Sequence, residues 1–590
     1  MKARLIGKAS LTALCFLLIL IPRIKSLGLV ATTDEPVWLH RSHVFSKAVA
    51  NVRFEETFRT SHPGVTLMWI GDIAVLVDKL LIRINRYATP TSKTGEPAWG
   101  MESQGREYGA YYLKLEQSGV AIVTSFILFL ACFWFAQTLS SYWFLVISSI
   151  MVAFDPFLVG LCRIVHLDGL LAAFCIASCA ALSRHFSYSR KAAKDNIGSR
   201  ATWIFVSGAL AGLALLTKSA ALVLLPWTLL AFVAYAWFGY RGPYMQKIVR
   251  FKRSLRQGIA DWLLWLTPIP IIAMLIWPAV WVDGVDVLRS LIKGVLWACK
   301  TPHVAGAAEL SVINLIKNYI IRIPIFIAPW LPWVAAVAMV ALLLSRLKQF
   351  RHPEDKAGSS PCSLPARQNW LVVALLLGSL ALLFPFCLGC AQKQAARYIL
   401  TTFVAIDFLV AMLIIWALLN LNLNVQARFI TLVCLSMFLL LIGWKTVAWW
   451  TPYLTAYRNP YWGDLHVNGK PLVRGWSEGV GEATRRLNRI KGSETFILSS
   501  RNPGVVRLFA KGRAKTYSRV KDGTADFIFL ERNFAETYAH SIFVRKLKSV
   551  YPLHDTIYLP QVRGHPDVWV FCGLNSKKCP VINGNDAVAH

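Results

Sequence analysis

Acidic residues are scarce in this chain: 31 Asp and Glu stand against 63 Lys and Arg in 590 residues, a formal charge of +32. Such an excess suits a nucleic-acid partner, but the cations are not spread as a binding surface. They gather in the gaps between apolar runs, as the positive-inside rule expects, so nucleic acid is not an expected partner. Signature motifs are missing as well. No N-x-S/T sequon occurs, nor any G-x-G-x-x-G, P-loop, H-E-x-x-H or paired C-x-x-C. Nucleotide-cradling and zinc-hydrolase chemistry therefore have no local signal. No internal repeat is visible. Cysteine is modest at 12, and most of it lies inside apolar runs as a small hydrophobe. Cys572 and Cys579 differ, lying in a polar tail, where they are candidates to pair if that tail is extracytoplasmic.

What is abundant is apolar sequence: 56% of residues are hydrophobic and 23 are Trp. Runs of roughly 17 to 25 apolar residues recur, which excludes an ordinary soluble protein. They fall near 9–22, 118–138, 142–161, 168–183, 202–217, 219–238, 260–281, 324–345, 370–388, 399–420 and 428–449. The expected fold is a polytopic α-helical membrane protein of about eleven transmembrane helices. The first run follows Lys2, Arg4 and Lys8 and ends in Ile-Pro-Arg-Ile-Lys, with no small-x-small site, so it reads as an uncleaved span with a cytoplasmic N-terminus. The loops after the fourth, sixth and eighth spans then lie inside. All three are basic, with Arg184 and Lys191, Arg241 and Lys247, and Arg346 and Lys348 among their residues.

This topology places two long regions outside. One is the first loop, about 23–117, far longer than a connector needs. Its apolar stretch Val65 to Ile82 carries Asp72 and Asp78 on one side and predicts an interfacial helix rather than a span. The other is 450–590, which follows a transmembrane module of 1–449. It reads as a small α/β domain, with a helix over 478–490 and strands over 495–499, 527–530 and 568–571.

Candidate chemistry gathers at the outer side. Asp34 and Glu35 are adjacent just after the first span. A carboxylate there can accept a proton from a hydroxyl or hold a divalent cation. Two adjacent acids rarely point the same way, so one is expected to act and the other to orient it. His62-Pro63-Gly64-Val65-Thr66 forms a turn before the interfacial helix, whose free N–H groups suit a phosphate; a plain helix start with His62 exposed fits equally. Arg163, His166 and Asp168 lie where the third span should end. Ionisable residues at membrane depth read as functional by default, although an Arg–Asp pair holding a helix end is the structural alternative. The spacing of Arg163 and His166 predicts one shared helical face. Lys218 sits at an outer turn, where snorkelling alone would explain it. Lys393, Arg397 and Tyr398 lie in another outer turn, against the positive-inside trend, and a phosphate or pyrophosphate is a good reason for such cations.

Asp34-Glu-Pro-Val-Trp38, His62-Pro-Gly-Val-Thr66, Asp155-Pro-Phe157 with His166-Leu-Asp168, Leu216-Thr-Lys-Ser219, Lys393 with Arg397-Tyr398, and Gly475-Trp-Ser-Glu-Gly479 follow one another in order. Together they resemble the integral-membrane GT-C glycosyltransferases, in particular the protein O-mannosyltransferase-like and aminoarabinose lipid A transferase-like families. The resemblance implies a sugar donor on a polyprenyl phosphate, an extracytoplasmic active site and inversion at the anomeric carbon. By position, Asp34 would be the base or a metal-linked acid, with Glu35 beside it and Asp168 as the second acid. Asp34 and Asp168 would also be the ligands of any divalent cation. Lys218, Lys393 and Arg397 would contact the donor phosphate, and His62, Arg163, His166 and Tyr398 would line the substrate side. The implied location is a bacterial inner membrane.

Three departures bear on the acceptor. The turn Gln392-Lys-Gln-Ala-Ala-Arg-Tyr398 has no acid before its Arg, unlike many relatives. The loop 282–323 has no acceptor-binding pattern, and the C-terminal segment lacks the β-trefoil repeats of eukaryotic protein mannosyltransferases. The acceptor, whether lipid, glycan or protein, stays open. Two other classes were weighed against an enzyme. A transporter or flippase of a lipid-linked or anionic solute would favour inverted repeats and ionisable residues at midplane, whereas here they lie at the outer mouth. A non-catalytic assembly protein would have no reason to keep Asp34, Asp168, Lys393 and Arg397 together.

Overall fold

The computed structural model describes residues 2–60, 62–84, 106–191, 197–238, 244–300, 320–321, 323–351, 364–390, 395–421, 423–461, 466–467, 470–471, 476–517, 520, 523–558, 566–576 and 578. Helices dominate. They are α1 (Lys2–Ile24), α2 (Glu35–Ala50), α3 (Val65–Ile84), α4 (Arg106–Leu139), α5 (Tyr142–Phe154), α6 (Pro156–Leu161), α7 (Leu167–Lys191), α8 (Ile197–Thr217), α9 (Leu224–Phe238), α10 (Tyr244–Leu266), α11 (Pro268–Ile276), α12 (Pro278–Lys300), α13 (Leu331–Arg351), α14 (Leu364–Cys390), α15 (Leu400–Asn420) and α16 (Val425–Trp450).

Among the described residues, 6 stretches are long and apolar enough to cross a membrane: Gly109–Leu139, Leu167–Ser187, Phe251–Ile276, Gln368–Leu388, Ala396–Asn420 and Val425–Trp450. Shorter apolar helices cover Ala9–Ile24, Tyr142–Phe154, Ala201–Thr217, Ser219–Tyr235 and Leu331–Leu343. Together they account for each of the expected apolar runs. The protein is an integral membrane protein of helical architecture with a small C-terminal sheet.

One expected span is not a single helix. The run 142–161 breaks at Asp155, whose backbone turns extended before Pro156. Proline cannot continue the hydrogen-bonding of α5. Asp155 instead caps α6, its Oδ1 accepting from Leu158 N at 2.8 Å. Residues 162–166 then form an irregular buried turn before α7 begins. Non-helical backbone at this depth is tolerated where protein surrounds it. Gly160 permits that packing, since a Cβ there would lie 2.6 Å from the Leu454 carbonyl oxygen.

Helix α7 is the axis of the bundle, buried along almost its whole described length and packed against α4, α8, α14 and α15. Helix α3 has its polarity reversed relative to a soluble amphipathic helix. Asp72 and Asp78 face inward, with Asp78 accepting from Tyr112 Oη at 2.5 Å, while Ile73, Leu76 and Leu80 are exposed. That orientation suits a helix whose outer face meets lipid.

After α16 the chain forms a five-stranded sheet. Its strands are β1 (Ile497–Ser499), β2 (Arg513–Lys515), β3 (Phe527–Glu531), β4 (Leu553–Tyr558) and β5 (Pro566–Cys572). Their spatial order is β2-β1-β3-β5-β4, with β1 parallel to β2 and β3, and β5 antiparallel to β3 and β4. Helices α17 (Val480–Leu487) and α18 (Pro503–Phe509) bring this unit down onto the bundle. Arg485 Nη1 donates to the Leu29 carbonyl at 2.8 Å, and Gly504 lies against Pro36. The sheet unit therefore rests on the segment that carries Asp34. Cys572 is disulfide-bonded, and Cys579, its expected partner, lies outside the described residues.

Candidate active site

Four separate segments bring ionisable side chains to one point. Asp34 is the N-cap residue of α2, yet its side chain makes no capping bond. It turns instead toward the buried turn before α7, where its Oδ2 lies 3.4 Å from His166 Nε2 and 3.2 Å from Arg397 Nη2. His166 reaches the other way too, its Nδ1 lying 3.2 Å from Asp168 Oδ2. Asp168, in the first turn of α7, has its Oδ1 2.5 Å from Lys218 Nζ and its Oδ2 3.6 Å from Arg397 Nε. The imidazole thus stands between two carboxylates, and two fixed cations face them. Asp168 is fully buried while the Asp34 side chain is 38% exposed, so Asp34 is the acid that an entering molecule meets.

The cations come from deliberate breaks in apolar helices. Lys218 ends α8 in extended conformation and starts a short 3-10 turn, Ser219–Val223. Arg397 and Tyr398 lie in a similar turn, Ala396–Ile399, before α15. Each break projects a long cationic side chain inward instead of along the helix surface. Aromatic faces take up the positive charge: Lys218 Nζ sits 4.3 Å from the Tyr398 ring centre, and the Arg397 guanidinium 4.1 Å from that of Trp476. Such contacts are favourable because the ring face is electron-rich. Trp476 also meets His166 edge to face at 5.3 Å.

Burial pushes the Asp34 carboxyl up, but the hydrogen bond and charge of His166, then the charge of Arg397, outweigh it. They hold the group below the usual carboxylate range against a smaller push from Asp168. Glu35 has the opposite environment. It is fully buried and points away from the cluster, accepting from Thr32 N at 2.6 Å, Gln117 Nε2 at 2.8 Å and Val165 N at 2.9 Å. Burial raises its carboxyl, although the Gln117 amide and the Val165 and Thr32 N–H groups pull down. Glu35 thereby ties the turn holding Asp34 to the turn holding His166.

Other expected residues occupy a supporting layer. His62 Nδ1 lies 3.2 Å from Ser219 Oγ, next to Lys218. The turn at Gly64 docks on α8: Gly64 N donates to the Thr217 carbonyl at 3.1 Å, and the Thr66 and Thr217 hydroxyls meet at 2.6 Å. One N–H group expected to face a phosphate is therefore already taken. Gly64 has a positive φ of 63°, and a Cβ there would lie 2.4 Å from the Trp38 ring. Arg163 does not share a face with His166, because residues 162–166 are a turn rather than a helix. Its Nη2 donates to the Lys25 carbonyl at 2.6 Å, and burial lowers it to about 10, with Glu35 opposing. Lys393 lies outside the described residues.

The donor set suits an ion-pair network better than a metal. Both Asp168 oxygens and Asp34 Oδ2 already face Lys218, His166 or Arg397. Among the described residues no group of three or more His, Cys, Asp or Glu is arranged to hold an ion. Trp476, within the Gly475-Trp-Ser-Glu-Gly479 stretch, is not among the candidate residues that the sequence suggests, yet it lies against Arg397 and His166; Gly475 itself lies outside the described residues.

The arrangement sets two cations and a partly exposed carboxylate side by side. Residues 99–281 match the family described as dolichyl-phosphate-mannose-protein mannosyltransferase. The matched stretch includes His166, Asp168 and Lys218. No curated protein matches the chain. Similar solved structures include ArnT from Cupriavidus metallidurans bound to undecaprenyl phosphate, with 11% identity over 97% of this chain and 99% of that one and a TM-score of 0.45. They also include the Archaeoglobus fulgidus oligosaccharyltransferase in its apo form, with 12% identity over 97% and 75% of the two chains and a TM-score of 0.41.

Proposed function

We propose that the protein transfers a sugar from a polyprenyl-phosphate donor to an acceptor on the outer side of the membrane, with inversion and with Asp34 as the base. The observation that carries this reading is the pairing of a half-exposed carboxylate, Asp34, with Arg397, beside the buried Asp168–Lys218 pair, at the edge of an apolar bundle. The donor's lipid chain stays in the bilayer while its phosphate meets Arg397 and Lys218, with Lys393, four residues before Arg397 in sequence, as a further expected contact. The bond from the anomeric carbon to the phosphate oxygen breaks, and the acceptor oxygen bonds to that carbon from the opposite face. Arg397 and Lys218 then hold the leaving phosphate, where preorganised charge contributes most to the rate.

The acceptor proton passes to Asp34. A carboxylate held below its usual range is a poor base toward a free alcohol. Once the new bond forms, however, the alcohol oxygen becomes cationic and releases its proton readily. The donor phosphate also competes for Arg397, which loosens that cation's hold on Asp34. Asp168 holds the Lys218 ammonium and orients His166, Glu35 holds the two turns in register, and His62 borders the Lys218 turn. This function places the site and the C-terminal unit outside, as in a bacterial inner-membrane enzyme.

The test is donor binding by purified protein in nanodiscs. Arg397→Lys keeps the charge but loses the planar fork, and it should weaken binding of a polyprenyl phosphate while the protein stays folded. Wild-type affinity in both Arg397→Lys and Arg397→Ala would remove the phosphate role.

A further inference from the structure

We infer that Trp476, supplied by the C-terminal segment, is a positioning residue that fixes the Arg397 guanidinium between the two carboxylates. The inference rests on the reading of Arg397 as the phosphate-binding group. Arg397 needs such support. Its Nε is buried and makes no hydrogen bond, and it reaches the carboxylates only as ion pairs at 3.2 and 3.6 Å. Ion pairs of that length are weakly directional, so they leave the plane of the guanidinium free to tilt. The Trp476 ring lies 4.1 Å from the guanidinium carbon and 5.3 Å from the His166 ring, and so restrains both groups that touch Asp34.

The segment around Trp476 is held by buried carboxylates, two of them from the sheet. Trp476 N donates to Glu478 Oε2 at 2.5 Å. Ser477 adopts φ 70°, a left-handed conformation unusual for a residue with a side chain, and its hydroxyl donates to Glu531. Gly479 N donates to Asp567 Oδ2 at 2.7 Å, and a Cβ on Gly479 would lie 2.6 Å from that oxygen. The carboxylates of Glu478, Glu531 and Asp567, all buried, thus hold Trp476, Ser477 and Gly479, of which Ser477 is strained. Backbone strain persists only where surroundings over-determine it, and it clusters at functional sites. Here its effect is to lay one indole ring on Arg397. The C-terminal unit therefore adds a ring contact to Arg397 beyond the ion pairs and the Tyr398 ring that the membrane bundle supplies.

The test uses the full chain in nanodiscs with undecaprenyl phosphate as probe. Trp476→Ala should weaken binding roughly fivefold to thirtyfold, the weight of a desolvated cation–π contact. Trp476→Phe, which keeps an aromatic face, should recover most of the loss. In an Arg397→Lys background, which has no planar fork to stack, the loss from Trp476→Ala should shrink to about threefold or less. An equal loss in both backgrounds means general damage and overturns the proposal, as does unchanged affinity in Trp476→Ala. A second readout does not depend on the donor. Arg397 should react faster with phenylglyoxal in Trp476→Ala, followed by peptide mass spectrometry. If the wild type fails to bind the lipid, the functional reading falls, and this rate decides the positioning role: a rise supports it and no change refutes it.

Discussion

Replacing Asp168 by Asn should destabilise the bundle strongly, and the reason lies in what the substitution leaves behind. Asp168 and Lys218 are both buried, and their charged atoms lie 2.5 Å apart. Removing one member of a buried pair costs about 3–5 kcal/mol, because the remaining charge is stranded away from water. Asn keeps the shape and an oxygen for Lys218, which places the expected loss near the lower end, about 3 kcal/mol. Lys218→Met should cost a similar amount by stranding Asp168, which keeps only His166 and Arg397. The double variant removes both charges and should lose much less than the sum. The assay is unfolding in mixed micelles, followed by tryptophan fluorescence, for the four members of the cycle. Additive losses would show that the two groups do not act as a pair, and a fully stable Asp168→Asn would refute the buried network altogether.

Two further outcomes follow from the same geometry. The basic loops predict that a periplasm-active reporter at His590 and a cytoplasm-active reporter near Gln257 both function; the reverse pattern would put Asp34 in the cytoplasm. Glu478 is raised from 4.5 to about 7 by burial, with Asp567 adding to the rise and the N–H groups of Trp476 and Glu478 and the Thr455 hydroxyl opposing it. The folded domain then holds a proton that the unfolded chain gives up, so stability should fall as pH rises from about 4.5 to 7, by up to about 3 kcal/mol. Glu478→Gln should flatten that slope in a melting series, and an unchanged slope would assign it to another group.

The spans were legible because a bilayer imposes a length on apolar sequence that few other constraints imitate. Asp34, His166, Asp168, Lys218 and Arg397 stand out as candidates for a related reason: ionisable residues are costly near hydrocarbon. Their mutual arrangement was not. Arg163 and His166 are three apart and fit one helical face, but α5 breaks at Asp155, α6 ends at Leu161, and the turn that follows sends Arg163 to the Lys25 carbonyl and His166 to the carboxylates. Periodicity cannot register a break that changes only one polar residue in a long apolar run. The divergence of Asp34 and Glu35 was foreseeable from their adjacency, whereas the three partners of Glu35 come from distant chain segments. In the C-terminal unit, the strands rich in Phe, Ile and Val were readable; Arg513–Lys515 and Leu553–Tyr558, which are short or mixed in polarity, were not. Trp476 acts on residues far away in sequence, and no local pattern reports such a contact.

The central claim is that Asp34 takes the acceptor proton, and single-turnover sugar transfer by Asp34→Asn tests it most directly. The substitution nearly keeps the shape of the side chain while removing its charge and proton affinity. Loss of a general base typically costs ~10²–10⁴-fold in rate, so transfer should fall at least ~100-fold while the polyprenyl-phosphate donor still binds. Glu35→Gln should cost less, since Glu35 faces the supporting turns rather than the cluster. Wild-type transfer by Asp34→Asn, with donor binding intact, would contradict the account.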